Sequence, residues 1–397
     1  MTSKRKSYLF IIAPIIFLFF LWGFAHSLLD VLNKHFQDSF EISKFRSSWI
    51  QVALYGGYFL ISLPAGYFLK KYSFKKSIIL GLLLFGAGAI FFVPADQLSS
   101  FPLFLISLFI IGSGLTFLET AANPYVTLLG DPEGASRRLN FAQSFNGLGW
   151  ILGPMIGGIL LFASDGSLRS VSLPYLSLGI VVFITAFIFS KISFPKVAET
   201  DTHQPAYQAK HTAPLWKQPL FIFGMVAQFL YVGAQTGINS FFINYVLELK
   251  SSLTPRDAAL LLSIGGMTLF TLGRFLGSWI MRWIAPDRLL IINSTVAIVL
   301  TYVVILSLGT ISLIALLLLY LFFSIMFPTI FSLSIKGLGN QTEKGSSLMV
   351  MTIVGGAVVP PIMALIGANV MAIGFIIPLI CFAGVLSFAI FNRYATR

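Results

Sequence analysis

About twelve apolar runs, each of roughly 20 residues or more, divide this sequence, and that is the length an α-helix needs to cross the hydrocarbon core of a bilayer. Taken between charged or Gly/Pro-rich breaks, they fall near 8–35, 47–70, 76–95, 101–125, 138–163, 171–192, 217–248, 256–283, 287–308, 311–336, 345–367 and 371–392. In lipid every backbone polar group must be satisfied within the protein, so the runs predict helices. The composition agrees, with 57% hydrophobic and 10% charged residues, far too apolar for a soluble domain. The first run is too long, and too polar near Asp30, Asn33 and Lys34, for a cleaved signal peptide, so it reads as a helix.

Orientation follows from the basic residues. With the N-terminus in the cytoplasm, most Lys and Arg fall in inside loops, including Lys70, Lys71, Lys75 and Lys76 after the second run, Arg137 and Arg138 after the fourth, and Arg282 and Arg288 after the eighth. Lys34, Lys44, Arg46, Arg169, Lys250 and Arg256 lie outside. This asymmetry predicts both termini on the cytoplasmic side of a cell inner (plasma) membrane. The formal charge of +12 is thereby accounted for by topology and excludes nucleic acid as the expected partner.

The longest inside segment, "SFPKVAETDTHQPAYQAKHTAPLW", is polar and proline-bearing and divides the runs six and six. The expected organisation is an N-terminal half over 1–192, a cytoplasmic linker over 193–216 and a C-terminal half over 217–397. The halves resemble each other. "GYFLKKYSFKK" follows the second run and "GSWIMRWIAPDR" the eighth, while "NPYVTLLGDPEG" in the fourth answers "FPTIFSLSIKGLG" in the tenth, aligning Pro124 with Pro328. Such repeats place a substrate site between the halves near the bilayer midplane, worked by rocking one half against the other. Lys70 and Lys71 sit in a degenerate form of the loop signature G-x-x-x-D-R-x-G-R-R. They read either as a gate latch or as ordinary inside-loop charge.

Among the 40 charged residues, only Asp30, Glu119 and Arg274 fall within the hydrocarbon region. A charge at the centre of a membrane helix costs about 2.5–3.5 kcal/mol on insertion scales, which makes such residues rare and usually functional. Glu119 must sit protonated or find a cation, and a carboxylate able to do both in turn is a proton carrier. Arg274 reads as an anchor of helix packing or of a gate. His26 lies one turn before Asp30, Glu119 one turn before Asn123, and Asn140, Gln143 and Asn146 recur every three residues in the fifth run. Amides donate and accept hydrogen bonds, as sugar hydroxyls require, although in membrane helices they also bridge neighbours. The second half offers Tyr231, Gln235 and Asn239 at a spacing of four, and the Phe327 region.

Other features carry competing readings. "GWILGPMIGG", from Gly149, is either an exporter-type signature or a seam of small packing residues with a proline bend. His26 with Asp30 has no third ligand nearby, so no metal is expected. The Asn293-Ser294-Thr295 sequon lies inside a run, and the single cysteine, Cys381, excludes an intramolecular disulfide. No Ser/His/Asp arrangement or phosphate-cradling loop is present, so neither an enzyme nor a cofactor is expected.

Over nearly its whole length the chain resembles the fucose permease group of proton-coupled sugar symporters in the major facilitator superfamily. The stretches "FLETAANPYVTLLG", "LNFAQSFN", "YVGAQT", "GRFLGSWIMRWIAP" and "FPTIFSLSIKGLGNQTEKGSSLMVMTIVGG" carry the resemblance. It implies an all-α membrane protein of twelve helices in two pseudo-symmetric six-helix halves, alternating between inward and outward openings. It further implies that Asp30 and Glu119 couple protons to sugar and that Gln143 and Asn146 lie near the sugar. The chain departs from the pattern where fucose-transporting members carry asparagines, having His26, Ser27 and Leu29 instead, and it has Phe327 where they carry a tyrosine. The expected function is proton-coupled symport of a hexose or deoxyhexose such as L-fucose by a monomer in the bilayer. His26, Asn123, Gln143, Asn146, Tyr231, Gln235, Asn239 and Phe327 are the candidate sugar ligands. The alternatives are sodium-coupled glucose/galactose uptake and proton-driven export of a drug or metabolite.

Overall fold

The computed structural model describes residues 2–128, 132–161, 169–192 and 214–395; the side chains of 2–13, 30, 31, 34, 38, 44, 132, 154, 157–161, 169, 170 and 340 are outside that description. Among the described residues the chain is helical throughout, without strands. Ten helices among the described residues are long and apolar enough to cross a membrane. Two further helices, α1 (Thr2–Ser39) and α5 (Ala135–Leu161), bring the bundle to twelve. The others are α2 (Trp49–Lys71), α3 (Phe74–Gln97), α4 (Phe101–Leu128), α6 (Arg169–Lys191), α7 (Pro219–Leu249), α8 (Pro255–Ile280), α9 (Pro286–Ile305), α10 (Thr310–Ile335), α11 (Thr342–Ile366) and α12 (Met371–Ala395). Their order matches the runs read from the sequence. The expected linker falls largely on residues 193–213, outside the described residues.

The packing repeats between the halves. α1 lies on α5, α2 and α3 on α4, and α3 on α6; correspondingly α7 lies on α11, α8 and α9 on α10, and α9 on α12. Across the divide α2 meets α11 and α5 meets α8, an exchange that the same pseudo-symmetry relates. Between membrane helices there is little hydrophobic driving force, so close van der Waals approach decides association. The α1–α5 seam shows how small residues permit it: a Cβ on Gly149 would lie 2.3 Å from the Phe20 carbonyl oxygen, and one on Gly153 would overlap the Ser27 hydroxyl. At Gly149 and Gly153, the "GWILGPMIGG" stretch is therefore a packing seam.

Two irregularities bring the inner helices to the site. α8 contains a π-helical segment, Leu261–Met267, of the kind found preferentially at functional positions. α10 is interrupted between Phe323 and Met326. Pro328 has no N–H to give the Ser324 carbonyl four residues earlier, so that carbonyl is left for another donor.

The halves are bridged at both ends of the bundle. Toward the end that carries the α2–α3 turn, Ser347 donates to the Ser62 carbonyl, Ser136 and Ser332 share a hydrogen bond of 2.5 Å, and Ser278 donates to the Arg137 carbonyl at 3.2 Å. Toward the opposite end the Asn33 amide donates to the Ser240 carbonyl at 3.2 Å and the Gln51 amide to the Ser240 hydroxyl at 3.0 Å. What lies between is bridged on both sides.

Candidate functional site

A cavity sits between the halves, lined by Trp22, His26, Tyr55, Glu119, Gln143, Asn146 and Trp150 from the first and by Val232, Gln235, Thr236, Arg274, Phe327 and Ile353 from the second. Its lining has the make-up of small-molecule sites, which are mostly apolar with a few placed polar groups. Here the apolar part is largely aromatic. The His26 ring stacks on Trp150, with centroids 6.0 Å apart and planes 27° from parallel.

On one wall stands the carboxylate. Glu119 is only 3% exposed, and its Oε1 accepts a 2.6 Å hydrogen bond from the Tyr58 hydroxyl. Tyr58 lies 2.9 Å from His26 Nε2, and Nε2 itself is 4.0 Å from the Glu119 oxygen. Beyond the ring, His26 Nδ1 is 3.4 Å from the Tyr55 hydroxyl, which accepts at 3.3 Å from Thr236 on α7. The buried carboxylate is thus joined through three side chains to the opposite half.

The facing wall is organised by Arg274, 2% exposed. Its Nη1 donates to the Gln143 carbonyl at 2.6 Å, to Gln143 Oε1 at 3.0 Å and to Asn146 Oδ1 at 2.9 Å. Its Nε donates at 3.0 Å to the Ser324 carbonyl, the group that Pro328 leaves without an intrahelical partner. The guanidinium also sits 4.3 Å from the centre of the Phe270 ring, a cation–π contact. Gln143 passes its own amide N–H to Asn123 Oδ1 at 3.2 Å, while Asn146 donates to the Phe19 carbonyl at 3.0 Å and accepts from Trp150 Nε1 at 3.1 Å. Arg274 thereby fixes the direction in which both amides present donor and acceptor.

The residues singled out in the sequence divide accordingly. His26, Glu119, Gln143, Asn146, Gln235 and Phe327 line the cavity, and so does Arg274, expected from the sequence as an anchor of packing or of a gate. Asn123 stands behind Gln143, and its Nδ2 has no hydrogen-bond partner among the described residues. Tyr231 is buried with its ring against Phe327 and its hydroxyl likewise unpartnered among the described residues. Asn239 is away from the cavity, accepting from Tyr320 at 2.8 Å, and Asn140 bonds to the Ser136 carbonyl and Thr329. Lys70 and Lys71 are exposed at the end of α2, with Lys70 in electrostatic reach of Glu343 on α11. Asp30 belongs to α1, but its side chain lies outside the described residues.

Sequence reasoning passed over Tyr55, Tyr58, Trp22, Trp150 and Thr236. A signal was present for the first two, hydroxyl-bearing aromatics three apart on an apolar helix and so on one face. Nothing local links them to His26, which is 32 residues from Tyr58.

Comparison with known proteins closes on the same architecture. The chain is 38% identical to the glucose/galactose transporter of Brucella abortus, covering 96% of this chain and 94% of that one. It is also 38% identical to the L-fucose-proton symporter of Escherichia coli K12, over 98% and 94% respectively. The crystal structure of the transporter FucP in the outward conformation superposes with a TM-score of 0.80 at 37% identity, over 97% of this chain and 99% of that one. Residues 15–361 match the family description, and this chain belongs to the Major Facilitator Superfamily.

Proposed function

We propose that this protein is a proton-coupled monosaccharide symporter working by alternating access, its substrate a hexose or deoxyhexose. The observation that carries this reading is the pairing, in one cavity between the halves, of a buried carboxylate with an arginine-oriented pair of amides and two tryptophans. Sugar hydroxyls donate and accept at once, which matches Gln143, Asn146 and Gln235, and the apolar face of a pyranose fits the indoles of Trp22 and Trp150. Glu119 supplies the second ligand. An ion held in a membrane interior is costly, so its carboxylate is stable there chiefly when neutral, and a proton that neutralises it favours whichever conformation buries it. Proton and sugar then act as two ligands that shift one equilibrium, each by its differential affinity for the two states. The relatives named for L-fucose-proton symport and for glucose/galactose transport support the same substrate class.

In this reading residues 1–192 and 217–397 are the rocking halves, 193–216 is a cytoplasmic linker, and both termini face the cytoplasm across an inner membrane. Asp30, one turn beyond His26 on α1, shares the coupling with Glu119. Lys70 and Lys71 belong to the cytoplasmic gate, and a single copy suffices because the cavity is complete within one chain.

The test is uptake of radiolabelled L-fucose, D-glucose and D-galactose into proteoliposomes under an imposed pH gradient, beside an imposed sodium gradient. Accumulation of at least one sugar driven by the pH gradient alone is expected. Accumulation that requires sodium, or outward pumping, overturns the assignment.

A further inference from the structure

We infer that His26 and Tyr58 form a proton relay serving Glu119, with Tyr55 as its cavity-side mouth; the inference rests on the symport reading above. Glu119 contributes to the wall of the cavity, yet its Oε1 is occupied by Tyr58, which is fully buried and does not itself line the cavity. Tyr58 in turn meets His26, whose ring borders the cavity directly. A proton that reaches Glu119 Oε1 along hydrogen bonds therefore passes imidazole and phenol in turn.

Donor counting gives the chain a direction. Tyr58 has one O–H and spends it on Glu119, so it accepts from His26 Nε2–H; Nδ1 is then the acceptor facing Tyr55, whose hydroxyl accepts from Thr236. Every bond in this order points toward the carboxylate. The same heavy-atom positions serve the opposite order, with Glu119 O–H donating to Tyr58, Tyr58 to Nε2, and Nδ1–H to Tyr55. The two orders differ by one proton. Loading consists of a proton from cavity water binding Nδ1, the Nε2–H proton passing to the Tyr58 oxygen, and the Tyr58 proton passing to Glu119 Oε1. The imidazole and phenol end neutral, and the carboxylate ends as the acid. Unloading runs in reverse.

The groups facing His26 suit this role. α2 contributes Tyr55 and Tyr58, α4 contributes Glu119, α5 contributes the neutral Trp150, and Asp30 stands one turn away on α1 itself. Across the cavity, Arg274 is the cation in the lining and Thr236 the hydroxyl. Because Thr236 lies on α7, its bond to Tyr55 exists only while the halves are together. Opening the cavity releases the Tyr55 hydroxyl and exposes Nδ1 to water, so exchange with solvent belongs to the open states and retention to the closed one.

The experiment compares wild type with Tyr58→Phe and His26→Gln in proteoliposomes, using whichever of L-fucose, D-glucose and D-galactose exchanges in counterflow. Gln keeps a hydrogen-bonding side chain at position 26 but cannot pass a proton, and Phe keeps the ring at position 58 without the hydroxyl. Positioned proton transfer is worth about 10²–10⁴-fold, so pH-gradient-driven initial uptake is expected to fall about a hundredfold in both variants. In Tyr58→Phe, whose side chain lies outside the cavity lining, sugar affinity and counterflow, which need no net proton movement, are expected to change far less. The wild-type rate should also slow in D₂O under the gradient. Wild-type accumulation by both variants overturns the relay. So does a loss of sugar affinity in step with uptake in Tyr58→Phe, which would make Tyr58 a support of the sugar site. Absence of gradient-driven accumulation in wild type itself would instead remove the symport reading, and the relay with it.

Discussion

Replacing Arg274 by lysine keeps the charge and removes the geometry, which makes it a sharp test of how α8 and α10 are held. The guanidinium reaches in two directions at once, to Gln143 and Asn146 through Nη1 and to the Ser324 carbonyl through Nε. A lysine ammonium is a single point and cannot span both. If it follows the amides, the Ser324 carbonyl is stranded, because Pro328 offers no N–H. Loss of a charge-assisted bond and an unmade buried acceptor together predict a destabilisation of about 2–3 kcal/mol. A second change isolates the Ser324 carbonyl. Pro328→Ala restores an N–H four residues from Ser324, so in the lysine background it should return about 1 kcal/mol, the net worth of an ordinary hydrogen bond. Unfolding of the four proteins in mixed micelles, by reversible denaturant titration, gives the coupling directly. Independent sites add within about 0.3–0.5 kcal/mol. Additivity within that scatter would show that Arg274 does not substitute for the helix bond that the proline removes.

Glu119→Gln mimics the protonated acid and should retain sugar binding and counterflow while losing pH dependence and uphill transport; a folded variant that fails to bind sugar at every pH refutes the carrier role. Gly66→Leu addresses the gate, since even a Cβ there would lie 2.6 Å from the Ser347 side chain across the halves. The variant should be held open at the end carrying the α2–α3 turn, and thiol labelling of cysteines placed along that opening should accelerate. Unchanged labelling would mean that the seam yields without parting the halves.

How far the sequence discloses this site depends on the range over which each piece of information acts. Helix number and order follow from run length alone, because bilayer thickness sets it. Glu119 and Arg274 stand out since charge in lipid is rare, and Gln143 and Asn146 since they are amides in an apolar run. Faces are harder. Tyr231, Gln235 and Asn239 share one spacing, yet Gln235 alone of the three lines the cavity, while Tyr231 packs behind Phe327 and Asn239 is taken up by Tyr320. That division is decided by neighbours 81 residues or more away in the chain. The contact of Thr236 with Tyr55 spans 181 residues, and the role of Arg274 depends on a carbonyl freed 50 residues downstream. Local periodicity carries no record of such partners.

The two ends of the cavity are fastened by different physics. At the Asn33–Ser240–Gln51 end the bridging groups are all neutral. At the opposite end the serine bridges are joined by Lys70 facing Glu343 across the halves, in electrostatic reach but beyond ion-pair contact. Ions in the medium act on the second arrangement and scarcely on the first, because an attraction that involves the exposed Lys70 ammonium is screened once the Debye length contracts, from about 30 Å at 0.01 M to about 3 Å at 1 M. Ionic strength thus has a preferred side. Rising salt is expected to loosen the lysine-bearing end and leave the amide-bearing end as it was, biasing the resting carrier toward one of its two openings.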